Sequence, residues 1–231
     1  DAFYFYKSVW NQNEKFAYLC PHWNLKLEKG TVLPVICYTN CEDAELFVNG
    51  RSFGMKSKGF PCYGMTERYG HFDRYRRPAN TDDLFLSWDV PYEPGKIEVV
   101  GYHDGKEVCR YNVETTGEAA AIKLTVDKTS VDADGRSVVQ AEIRIVDSKG
   151  RIVLDASPQL DFILEGDGEI IGIDNGDPAC HEQWKETKGR HAFNGMAYAV
   201  IRAGQNKGEL KLTVTSSDNI LTNASATIQA C

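Results

Sequence analysis

Four groups of residues have types and spacings that could do chemistry. The first lies in residues 59–83, where Tyr63, Tyr69, Phe72 and Tyr75 interleave with Arg68, Arg74, Arg76 and Arg77, and His71 sits among them. Guanidinium groups and aromatic faces together stack on sugar rings or on bases. The second is the tryptophans Trp10, Trp23, Trp88 and Trp184, whose rings could form a sugar-stacking platform. The third is Asp174, Asn175 and Asp177 with Glu182, hard oxygen donors of the kind calcium collects six to eight at a time. The fourth is Cys180, His181 and Glu182, together with the dipeptide Asn13-Glu14, where a nucleophile or a general acid could sit.

Each group also has a plainer reading. A stretch as long as 59–83 without secondary structure is uncommon and often functional, but it also reads as a packed surface loop. Trp88 alternates with Leu84 and Leu86, which points to a core. Trp184 lies in a loop and is the better platform candidate, while Trp10 and Trp23 read as interface residues. Asn175-Gly176 alone explains a turn, and the acidic spacing lacks the EF-hand pattern. A structural calcium at Asp174 and Asp177 is therefore the one cofactor to look for, and otherwise none is expected. Asp132, Asp134 and Gly135 fit a hairpin turn. Neither a triad nor a zinc set is completed by the spacing around His181, and Asn13-Glu14 follows an aromatic run in a polar loop.

The net charge of −7 argues against nucleic acid as a partner, since binding phosphates calls for a basic excess. No apolar run approaches the roughly 20 residues that span a bilayer. The first residue is Asp1, with no signal-peptide pattern after it, so the expectation is a boundary created by processing or by a longer chain. Seven cysteines are irregularly spaced; they read as free buried or half-buried thiols, or as one or two disulfides in an oxidising compartment.

Residues 1–13 are dense in aromatics and read as a short strand or the last turn of a helix. Period-2 alternation then dominates. Strands are expected over 32–39, 45–48, 52–55, 84–88, 97–102 and 108–113. Asn49-Gly50 and Asp104-Gly105 mark tight hairpins, because both central turn positions need positive φ. Residues 115–121 read as a linker. Further strands are expected over 138–146, 160–164, 169–173, 196–203, 208–215 and 224–230. Strands every 8–12 residues with turn residues between them indicate β-sandwiches, and a barrel of eight βα units is excluded within this chain.

The stretch LSWDVPYEPGKIEVVGYHDGKEV, residues 86–108, resembles the β-sandwich that follows the catalytic barrel in glycoside hydrolase family 2 enzymes of the β-galactosidase kind. VICYTNCEDAELFVNGRSFGMK, residues 35–56, fits the same domain. FYFYKSVW with LCPHWN is similar to the junction where the barrel ends. Residues 122–153 are similar to invasin-type bacterial immunoglobulin-like repeats, and IDNGDPACHEQWK with RHAFNG resembles the terminal domain of the same hydrolases.

The resemblance implies an all-β chain of two tandem immunoglobulin-like β-sandwich domains. It divides into 1–15 as the tail of a preceding catalytic barrel, 16–116 as the first sandwich and 117–231 as the second. It implies a non-catalytic C-terminal accessory region of a bacterial retaining glycosidase. The partners are then the barrel of the same polypeptide and its carbohydrate substrate, with a homo-oligomer as a further expectation. The whole protein is expected in the periplasm or outside the cell. Trp10, Trp23, Tyr69, His71 and Trp184 are the residues expected at a substrate rim or sugar-stacking surface. An independent carbohydrate-binding module and an adhesin-like interaction domain stay open as alternatives.

Overall fold

The computed structural model describes residues 1–11, 13–57, 84–183, 185 and 188–231. The expected roles of Tyr69, His71 and Trp184 fall outside these residues. The chain forms two compact units, Asp1–Thr115 and Thr116–Cys231.

The first unit opens with a helix, α1 (Ala2–Trp10), and continues with β1 (Ala17–Cys20), β2 (Val32–Thr39), β3 (Asp43–Val48), β4 (Arg51–Ser57), β5 (Leu86–Pro91), β6 (Lys96–His103) and β7 (Lys106–Glu114). One sheet has the order β1-β2-β5 and the other β4-β3-β6-β7. The alternation expected from the sequence is what builds the core: Val35 and Cys37 on β2, Ala44, Leu46 and Val48 on β3, Trp88 and Val90 on β5, and Ile97 and Val99 on β6 point into one cluster. Both tight hairpins form as expected. Asn49 and Gly50 have φ of 48° and 81°, and Asp104 and Gly105 have 49° and 71°.

The second unit contains β8 (Ala119–Val126), β9 (Ser130–Val131), β10 (Val138–Asp147), β11 (Gln159–Glu165), β12 (Gly168–Asp174), β13 (Gly189–His191), β14 (Met196–Ala203), β15 (Gly208–Ser216) and β16 (Ala224–Ala230). Its sheets have the orders β12-β14-β10-β8 and β13-β11-β15-β16-β9. All pairs are antiparallel except β16 with β9. Ala141, Ile143 and Ile145 from one sheet meet Leu210, Leu212 and Val214 from the other in a single core.

Three expectations need correction. The strand placed at 84–88 runs from Leu86 to Pro91, because its pairing with β2 continues to Val32 opposite Pro91. The linker is shorter than 115–121, because β8 already begins at Ala119, which pairs with Asp147 across a register shift. The aromatic start is a nine-residue helix, neither a strand nor a single turn.

Asp147 anchors that junction. Its buried carboxylate accepts hydrogen bonds from the backbone of Gly117 (3.0 Å), Lys149 (2.9 Å) and Arg151 (2.9 Å) and from Arg151 Nη2 (2.6 Å). The Arg151 guanidinium and these amides hold the carboxyl far below the usual carboxylate range. A depressed folded-state pKa contributes stability that is complete above the unfolded value, near pH 4, and drains away as pH falls below it. Asp147→Asn is therefore expected to lower the thermal midpoint at neutral pH, and the deficit should shrink as the buffer is taken below about pH 4. A deficit independent of pH would show that the charge is not what matters.

Candidate functional site

The helix α1 is apolar on two faces. Tyr4 stacks on Tyr18 of β1, with centroids 3.8 Å apart and planes 7° from parallel, and Phe5 meets Tyr38 of β2 edge-on at 5.6 Å. The Asp1 carboxylate ties down the helix start, accepting from the Tyr18 hydroxyl at 2.9 Å and the Cys20 thiol at 3.1 Å. Burial, with the neighbouring Tyr111 and Cys20, pushes the Tyr18 hydroxyl up to about 12, so it stays a proton donor at any physiological pH. On the opposite side Phe3, Tyr6, Val9 and Trp10 form a stripe at helical spacing. Phe3 is 69% and Trp10 74% exposed, and the Tyr6 and Trp10 rings lie 4.9 Å apart. Phe3, Tyr6 and Trp10 thus present an aromatic surface that is solvent-exposed in this unit.

Trp23, expected beside Trp10 at a rim, is not there. It is fully buried in the first core. Its Nε1 donates to the Glu93 carbonyl at 2.9 Å, and its ring lies 5.2 Å from that of Tyr92. A ring with no exposed face cannot stack on a sugar. Trp88 is buried as its alternation predicts, its Nε1 donating to the Gly54 carbonyl. Glu14 is solvent-exposed and ion-paired with Lys7 at 3.2 Å, which is a surface pair and not the enclosed carboxyl of a general acid.

In the second unit Asp174 and Asp177 act on their own turn. Asp174 Oδ1 accepts from the amides of Asn175 (2.7 Å) and Gly176 (3.2 Å), which hold its carboxyl below the usual range. Asp177 Oδ1 accepts from the amide of Ala179 at 2.9 Å. Among the described residues, the one group of three His, Cys, Asp or Glu ligand atoms within 4.8 Å of one another is in the first unit: Glu42, just before β3, with His103 and Asp104 at the β6–β7 turn. Among the described residues, Asp174 and Asp177 belong to no such group of three.

Sequence reasoning missed the residues that organise this loop. Arg190, on β13, is 2% exposed. Its Nη2 donates to the Glu182 carbonyl at 2.9 Å and its Nη1 to Cys180 Sγ at 3.4 Å. Glu182 pairs with His191, Oε1 to Nδ1 at 2.8 Å, and not with its neighbour His181. Against the upward pull of desolvation, the hydrogen bonds from His191 hold the Glu182 carboxyl below its ordinary value. Glu182 is therefore engaged in a surface pair with His191. Arg190 and His191 open the RHAFNG stretch that carries the family resemblance, but nothing in its period or spacing says that they tie down residues 174–182.

Residues 122–226 match the family model described as glycoside hydrolase family 2 C-terminal domain 5, and residues 30–109 match a domain of unknown function, DUF4982. The chain is 34% identical over 217 residues to β-galactosidase BoGH2A of Bacteroides ovatus, covering 94% of this chain and 23% of that protein. It is 27% identical to a putative β-glucuronidase of Formosa agariphila, covering 88% of this chain and 18% of the relative. A glycosyl hydrolase family 2 member from Bacteroides cellulosilyticus superposes with a TM-score of 0.84 at 26% identity, over 99% of this chain and 30% of that one. The chain thus spans about a quarter or less of the length of these curated relatives. Both sandwiches find their counterparts in one kind of protein, and the chain belongs to the C-terminal β-sandwich region of glycoside hydrolase family 2.

Proposed function

We propose that this chain is the non-catalytic support of a bacterial glycosidase that hydrolyses O-glycosidic bonds, and that the outer face of α1 is where the catalytic barrel of the same polypeptide rests. The observation that carries the reading is the stripe of Phe3, Tyr6, Val9 and Trp10, left exposed on a helix whose other face is already packed. Exposed aromatics clustered on one face mark a contact surface. The names of the relatives, β-galactosidase and β-glucuronidase, supply the reaction class. They disagree on the sugar, so no sugar is assigned. A retaining glycosidase needs two carboxyl groups about 5–5.5 Å apart in one site. Glu14, of the Asn13-Glu14 dipeptide in its polar loop, is exposed and paired with Lys7.

The experiment compares this chain with the whole protein on aryl β-galactosides and aryl β-glucuronides. The chain alone is expected to give no hydrolysis above buffer. In the whole protein, Trp10→Ser combined with Phe3→Ser should lower the inactivation temperature. In the isolated chain the same pair should change stability by no more than about 0.5 kcal/mol, as at other exposed positions. Turnover by the isolated chain, or a whole protein indifferent to the double substitution, would sink the reading. The Tyr6–Trp10 ring pair also supports a second reading, sugar stacking by an independent binding module. Saturable binding of galactose or a galactan to the isolated chain, lost in Trp10→Ser, would favour it.

A further inference from the structure

Cys41 and Cys109 lie 68 residues apart in sequence, yet their sulfurs are 3.4 Å apart. Cys41 sits just before β3 and Cys109 on β7, and the strand between them is β6. The residue of β6 beneath both sulfurs is Gly101, which is paired with Cys109 and with Ala44. Its backbone is not in the left-handed region, so nothing in its conformation asks for glycine. Space does. A Cβ at Gly101 would lie 2.6 Å from Cys41 Sγ and 2.6 Å from Cys109 Sγ. The missing side chain is what lets two sulfurs from flanking segments meet over the middle strand.

We propose that Cys41 and Cys109 are a disulfide-forming pair, which a disulfide oxidant of the glutathione class converts into a covalent tie across β6. Cys109 is half-buried and Cys41 buried, so Cys109 is the entry point. Its thiolate attacks the oxidant disulfide, forming a mixed disulfide and releasing one oxidant thiolate. Cys41 then attacks Cys109 Sγ, the new S–S bond forms, and the second oxidant thiolate leaves. The two cysteines lose two electrons and two protons, and the oxidant becomes two thiols. Closing the bond shortens the 3.4 Å gap to about 2.05 Å, a movement within reach of side-chain rotation. The environment favours the first ionisation. The hydrogen bond between the sulfurs lets the pair lose its first proton below the ordinary thiol range and holds the second above it; with the remaining proton on Cys41, the more accessible Cys109 is the thiolate that attacks.

The test uses the full 231-residue chain, reduced and then equilibrated with oxidised glutathione. A non-reducing peptide map should show the Cys41 peptide joined to the Cys109 peptide, with the intact mass lower by two hydrogens. Cys109→Ser should abolish that joined peptide and leave Cys41 titratable by a maleimide after denaturation. Gly101→Ala, whose methyl forces both sulfurs aside, should slow the cross-link by about tenfold or more. Three results would overturn the assignment. They are Cys41 and Cys109 remaining separate thiols, each keeping a glutathione, or either one joining a different cysteine.

Discussion

Trp23→Ala is expected to lower the unfolding free energy by about 3–5 kcal/mol, the range for emptying a buried aromatic site. The side chain is fully buried among residues of both sheets of the first unit. The loop that carries it is held at several points. Trp23 Nε1 donates to the Glu93 carbonyl, its own carbonyl accepts from Thr115 Oγ1 at 3.1 Å, and its ring packs on Tyr92. Deleting the indole opens a cavity and removes the donor from the part-buried Glu93 carbonyl, while the Thr115 bond, made to the backbone carbonyl of residue 23, can persist. Trp23→Phe separates these effects: it restores most of the apolar volume but not the donor, and should cost about 1–2 kcal/mol. Urea unfolding of the two variants beside the wild type checks both figures. An alanine variant within about 0.5 kcal/mol of wild type would show that the Trp23 indole is not part of the core.

The contrast between Trp23 and Trp88 shows what the sequence could and could not say. Trp88 lies in an alternating strand, so its inward direction follows from its apolar neighbours two residues apart. Trp23 lies between His22 and Asn24 with no period, and its hydrogen-bond partner Glu93 is 70 residues away. The hairpins were legible because Asn-Gly and Asp-Gly solve a local backbone problem at the site itself. Strands β9 and β13, of two and three residues, are too short to show a period and exist only because a neighbouring strand pairs with them. The aromatic density of α1 was visible, but its division into a packed face and an open one was not. Nothing in FYFYKSVW says that Tyr18 and Tyr38 will arrive beneath Tyr4 and Phe5. The Cys41–Cys109 meeting and the Glu182–His191 pair were hidden for the same reason: the nearest residue in sequence was not the nearest in space.

Arg190→Met is expected to loosen the loop after β12 far more than it weakens the fold. Arg190 pairs with Leu160 of β11 along the edge of the five-stranded sheet. From there its guanidinium reaches the Glu182 carbonyl, Cys180 Sγ and, at 3.9 Å, Asp174 Oδ1. One buried side chain thus holds three points along residues 174–182 to strand β13. A buried cation is costly, and the Asp174 carboxylate opposite it is 66% exposed and so well screened. Methionine fills the same slot without that desolvation cost, so the global loss should be modest, about 1–2 kcal/mol. Locally there is no such offset: the Glu182 carbonyl and the Cys180 sulfur both lose their donor. Amide exchange over residues 175–182 should accelerate by about tenfold or more, the factor that goes with about 1.4 kcal/mol of lost local protection. Strands β10 and β15, in the centre of each sheet, should keep theirs. Arg190→Lys should not rescue the loop, since a single ammonium cannot span the points that the planar guanidinium joins. If exchange over 175–182 stays at the wild-type rate in Arg190→Met, the loop is held by its own turns, with Asp174 and Asp177 as the anchors and Arg190 as filler.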